Sequence, residues 1–138
     1  MMENKEFVTC EQAIKLRELG FKERCYQFYD CAGTLCDNFK YFHGEDAIIT
    51  SDDFCISHNS SQKEDIWDAP TLSQVQTWLR KEKRYSVEEL YDCDDKWSYF
   101  IGRMSDGEYI KHISDFNSPE EALSAGISET IKILTNDN

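Results

Sequence analysis

Apolar residues recur at helical spacing in three stretches of the chain, and the residues bounding each stretch are those that start and stop helices. In the first, Ala13, Leu16, Leu19 and Phe21 share one side of a helix entered at Thr9. Thr9 and Gln12 have capping-box spacing, Val8 and Ala13 stand where a hydrophobic staple forms, and Gly20 follows the last helical residue, with Phe21 placed to fold back on Leu16. The second stretch opens at Pro70-Thr71, where Thr71 and Gln74 repeat the cap spacing, and carries Leu72, Val75, Trp78 and Leu79 as one stripe. Arg80, Lys81, Lys83 and Arg84 then put positive charge at its C-terminal end, where the helix dipole favours cations. The third begins at Ser118-Pro119-Glu120-Glu121, runs along Leu123, Ile127, Ile131 and Leu134, and frays from Thr135.

Between these helices the apolar residues come in short runs. Arg24 to Tyr29 is rich in aromatic strand formers, and Ala47–Thr50 and Phe54–Ile56 are brief apolar runs split by Asp52-Asp53. Residues 30–46 contain Gly33, Asp37, Asn38 and Gly44 and predict an irregular connection, and Ser57 to Asp65 predicts a surface loop. Three strands are expected from Tyr85 to Tyr91, Trp97 to Met104 and Tyr109 to Ile113, with a helix beginning at Val87-Glu88-Glu89-Leu90 as the alternative to the first. The last two flank Asp106-Gly107, a hairpin signal because both residues tolerate positive φ. On the middle strand, alternation puts Trp97, Tyr99 and Ile101 on one face and Phe100 and Met104 on the other, and His112 is expected to point out of the sheet. The predicted fold is α+β: one domain over 1–138, three helices packed on a mainly antiparallel sheet, a C-terminal part of order α-β-β-β-α, and a variable connection over 30–65.

Charge narrows the functions. Lys plus Arg number 15 against 27 Asp plus Glu, a net −12, so a phosphate backbone is a poor partner and no nucleic-acid binding is expected. The α-β-β-β-α order is that of a double-stranded-RNA-binding domain, but such domains grip phosphate with basic residues where this chain has Glu120 and Glu121. An aromatic content of 13% separates the chain from disordered acidic tails, which have too little apolar surface to fold. No run of about 18 apolar residues predicts a membrane span, and MMENKEF has no apolar signal core, so a cytoplasmic location is expected.

Six cysteines are too few for a disulfide scaffold, which uses roughly 8–10% Cys, so they are expected as free thiols, mostly buried. The sharpest chemical candidate among them is zinc. Cys31 and Cys36, followed by Cys55 and His58, supply two N/S pairs of the kind a tetrahedral site needs, with Cys25 and His43 as substitutes. Neither pair is a CxxC knuckle, and the reading adopted is no metal and no cofactor. A thiol nucleophile could be composed from His43, His58 or His112, but no local signature supports one. The acidic run Glu88, Glu89, Asp92, Asp94 and Asp95 fails as a calcium loop, because counting from Asp92 puts Trp97 sixth and Arg103 twelfth, where Gly and Glu are required. It predicts either a solvated strand end or a surface that meets a basic partner. The aromatics Trp67, Trp78, Trp97, Tyr85, Tyr91, Tyr99 and Tyr109 predict core, with one sheet face open to a partner or a second copy.

The segments Thr9-Cys10-Glu11-Gln12-Ala13 to Leu19-Gly20-Phe21, Ala69 to Arg80, and Glu120 to Ile127 taken together resemble a group of small acidic proteins of Bacteroides-type gut bacteria and their phages or prophages. The resemblance brings no catalytic residues. It implies a cytoplasmic, mobile-element origin and action by binding a host or phage component. The expectation is a non-enzymatic accessory protein working through protein–protein contact. Alternatives are a zinc-stabilised domain, a nucleic-acid mimic and an enzyme of unrecognised type.

Overall fold

The computed structural model describes residues 6–37 and 66–136. The chain forms two compact units, Val8–Pro70 and Met1–Phe7 with Thr71–Asn138. Its class is α+β, and the described residues contain three α-helices and two three-stranded antiparallel sheets. The expected strands at Ala47–Thr50 and Phe54–Ile56 lie outside the described residues.

In the Val8–Pro70 unit, helix α1 spans Cys10–Glu18. The Thr9 hydroxyl accepts the Gln12 N–H at 3.1 Å while the Gln12 side chain accepts the Thr9 N–H at 2.8 Å, so two amides of the first turn are satisfied reciprocally. The far end closes as a Schellman turn: Gly20 takes φ +96°, its N–H donates to Arg17 O, and Phe21 N–H donates to Leu16 O. Of the expected inward face Ala13, Leu16 and Phe21 are buried, while Leu19, at the helix C-cap, is only partly covered; Val8, before the N-cap, is also buried. Strand β1 (Gln27–Tyr29) lies between β2 (Leu35–Asp37) and β3 (Trp67–Asp68). Phe28 is buried from this central position, and the Tyr29 hydroxyl donates to Val8 O at 2.6 Å. The Arg17 guanidinium donates to Ile66 O at 2.6 Å and lies 5.5 Å over the Trp67 ring.

Part of the expected irregular connection is therefore a hairpin. The Asp30 carboxylate accepts the N–H groups of Ala32 and Thr34, and Gly33 takes φ +81°. An aspartate opening a turn with glycine three residues on is a type I signature, and here it reverses the chain between β1 and β2.

In the other unit, α2 spans Leu72–Trp78, with the Thr71 hydroxyl accepting from Gln74 N–H at 3.1 Å. It widens into a π-type turn over Leu79–Lys83, then Arg84 in the left-handed region (φ 61°) turns the chain directly into the next strand. Strands β4 (Tyr85–Tyr91), β5 (Trp97–Arg103) and β6 (Glu108–Phe116) form an antiparallel meander with β5 central. Helix α3 (Pro119–Asn136) keeps helical geometry through Thr135 and Asn136, the first two of the residues where fraying is expected; the other two lie outside the described residues. The Ser118 hydroxyl accepts from Glu121 N–H at 3.1 Å. Leu123, Ile127 and Ile131 are buried together with Val87, Tyr99 and Ile101. The helix comes closest at Gly126, where an added Cβ would lie 2.9 Å from Val87 Cγ1 and 3.0 Å from Tyr99 Cγ.

The two hairpin turns of this sheet depart from expectation. At the predicted Asp106-Gly107 turn only Gly107 has positive φ (70°), within a four-residue loop. The mirror-image turn with two left-handed residues occurs instead between β4 and β5, at Asp94 (φ 54°) and Asp95 (φ 60°), closed by Lys96 N–H to Cys93 O at 3.0 Å. Aspartate tolerates this backbone but glycine prefers it. Asp95→Gly is accordingly expected to raise stability by about 0.5–1 kcal/mol, the relieved left-handed strain less the freedom glycine adds to the unfolded chain. A higher urea midpoint would show this.

Candidate functional site

The zinc candidates are only partly placed. Cys31 is exposed in the β1–β2 turn, and Cys36 is half-buried on β2, its thiol donating to Thr34 O at 3.4 Å with Asp30 Oδ2 3.8 Å away. Cys55, His58 and the substitute His43 lie outside the described residues. Cys25 is buried, its thiol donating to Glu23 O at 3.5 Å. Burial, reinforced by the carboxylates of Asp68 and Glu23, holds the Cys25 thiol far above the ordinary range. Burial and then the Asp30 charge also push Cys10 and Cys36 up. A raised thiol is a poor nucleophile, because the thiolate is the reactive form. Among the described residues no three His, Cys, Asp or Glu side chains converge in a metal-binding arrangement. Nor are the described cysteines mostly buried, as expected. Cys31 and Cys93 are exposed and Cys10 and Cys36 intermediate, because Cys31 and Cys93 sit in turns, Cys10 opens α1 and Cys36 lies on the outer strand β2 of its sheet.

The β4–β5–β6 sheet is two-faced in the manner its alternation predicts. Residues directly opposite each other in antiparallel strands share a face. Val87 with Ile101, and Tyr99 two residues on, occupy the side that α3 covers. The other side carries Ser86, Glu88 and Leu90 opposite Gly102, Phe100 and Ser98, with His112 opposite Phe100 and Tyr109 opposite Gly102. Gly102 leaves room for the Phe100 ring, since a Cβ there would stand 3.1 Å from Phe100 Cε1. The Phe100 and Tyr109 rings pack with centroids 5.4 Å apart. Leu90 is 45% exposed and Tyr109 56%. An apolar strip thus crosses the outer face from Leu90 through Phe100 to Tyr109.

Carboxylates mark both ends of the strip. Asp92 continues the outward phase of Leu90 and accepts the Ser98 hydroxyl at 3.1 Å, while Asp94 and Asp95 project from the adjoining turn. Lys96, in the same turn, is directed to Asn117 at 2.6 Å and Asp115 at 4.0 Å. At the other end Arg103 clamps Asp106 at 2.9 Å and Glu108 at 3.2 Å, and the hydrogen bond to Arg103 holds the Asp106 carboxyl below its usual range. Leu90 was legible only from its phase, since it breaks step with Tyr85 and Val87. The same unit also contains a cavity of about 300 Å³ lined by Glu6, Glu89 and Glu120, the hydroxyl residues Thr71 and Ser73, and Leu72 and Leu123. Glu89 there accepts from the Gln76 side-chain amide at 3.1 Å.

No family model, curated protein or solved structure matches this chain. Among the described residues no helix is long and apolar enough to cross a membrane.

Proposed function

We propose that the chain is a non-enzymatic accessory protein that works by protein–protein contact, and that the outer face of the β4–β5–β6 sheet is its contact surface. The supporting observation is the strip of Leu90, Phe100 and Tyr109 on the side of the sheet opposite α3. Aromatic side chains combine large apolar area with a polar handle, which suits a surface that is wet when free and buried when bound. The resemblance to phage and prophage proteins supports a mobile-element origin and a cytoplasmic setting.

A photo-crosslinking residue placed at Tyr109 in cells is expected to capture a discrete protein adduct, while the same residue at exposed Lys132 on α3 yields none. Equal capture at both positions, or capture at neither, overturns the reading.

A further inference from the structure

We infer that the outer face takes an extended, arginine-bearing segment of a partner polypeptide. This rests on the proposed contact surface and adds the chemistry of what lies on it. The strip is diagonal. It crosses three strands about 4.8 Å apart and runs four residues along β5 at about 3.3 Å each, roughly 16 Å in all. That is the reach of about five extended residues. Phe100 in its middle and Tyr109 at its β6 end form one packed aromatic pair, and its β4 end offers the carboxylates of Asp92, Asp94 and Asp95. One cation in that turn, Lys96, is held by Asn117 and Asp115.

Arginine matches both parts. Its planar guanidinium stacks on aromatic faces and pairs bidentately with carboxylates, and it sheds water more readily than the lysine ammonium. A nucleic acid would bring phosphates against the same three carboxylates. A second copy would bring another chain of net charge −12.

The probe is a six-residue peptide of alternating arginine and valine, compared with its citrulline counterpart, which keeps the shape and loses the charge. Backbone amide shifts on titration are expected to concentrate at Leu90, Asp92 to Asp95, Ser98, Phe100 and Tyr109. Binding should weaken at least tenfold with citrulline, and at least tenfold between 50 and 300 mM salt. A combined D92N/D94N/D95N variant should weaken it similarly while keeping the fold, because asparagine accepts the Ser98 hydroxyl and suits left-handed turns. As a second arm, Tyr109→Ser, at an exposed site, should also weaken binding. Equal binding of the citrulline peptide, shifts scattered over α3, or a dimer in sedimentation that dissociates in Tyr109→Ser each overturns the inference. Adduct formation at Tyr109 without arginine-peptide binding would leave the contact surface standing and remove only the arginine assignment. Peptide binding at the strip without any adduct in cells would remove the functional reading instead.

Discussion

Gly126→Val is expected to cost about 2–3 kcal/mol and to lower the urea midpoint of the C-terminal unit, followed through the fluorescence of Trp78 and Trp97. Two effects compete at this position. A side chain replacing glycine inside a helix normally gains about 0.5–1 kcal/mol by restricting the unfolded chain. Against that, the new Cβ would stand 2.9 Å from Val87 Cγ1, 3.0 Å from Tyr99 Cγ and 3.1 Å from Tyr99 Cβ. The Tyr99 atoms are the root of a buried side chain on the central strand and cannot swing aside, so the helix must lift away from the sheet. Overpacking of this kind costs about 1–3 kcal/mol, and the two extra methyls of valine place it at the upper end. Gly126→Ala should fall in the same direction by less. An alanine variant more stable than the parent would mean that α3 does not seat this closely on the sheet.

Ile101→Ala is expected to cost about 3–4 kcal/mol by the same measurement. Ile101 has no exposed surface, sits on the central strand opposite Val87 and faces the buried stripe of α3. Removing its outer carbons loses their transfer energy and leaves a void that strands on both sides prevent from collapsing. Leu90→Ala, on the same sheet but facing outward and 45% exposed, should change stability by less than about 1 kcal/mol. The contrast between two aliphatic residues on neighbouring strands would separate the face that builds the unit from the face proposed to work in contact.

The parts of the fold legible in the chain are those whose signals are local. Thr9 with Gln12, Gly20 with Phe21, and Ser118 with Pro119 fix helix ends through hydrogen bonds a few residues long, and each forms as spaced. The opposed faces of the β5 strand follow from alternation, with Ile101 and Tyr99 buried and Phe100 outward. What stayed hidden depends on partners distant in sequence or on weak turn chemistry. Trp67-Asp68 is too short to signal a strand and exists as one only because it pairs with Tyr29 and Phe28. The Asp30 to Gly33 turn was present as a pattern, but its neighbours Leu35 to Asp37 lack the apolar length that marks a strand. The hairpin between β4 and β5 uses Asp94-Asp95, a pair that reads as solvated acid and becomes a turn only because register between the two strands demands it. Of the candidate site, Phe100 was visible on its own strand face, but Tyr109, expected in the core, is 56% exposed, and the strip was hidden because its order across three strands is set by pairing.

The last strand of the meander has a further consequence for how copies of the chain meet. It is nine residues long and lies at the margin of the sheet, a length that ordinarily invites another strand to add on. Its pairing slips twice, opposite Trp97/Tyr99 and opposite Ile101/Gly102, and Asp115 near its end takes φ 80°. Each slip twists the free rim and breaks the even ladder of amides and carbonyls that a newcomer would have to match. Asp115, beside the slip opposite Trp97/Tyr99, also puts an exposed carboxylate on this rim, where it repels a like copy. Fibril growth by stacking along this rim is thereby frustrated, so concentrated solutions should stay clear unless the kinks are straightened.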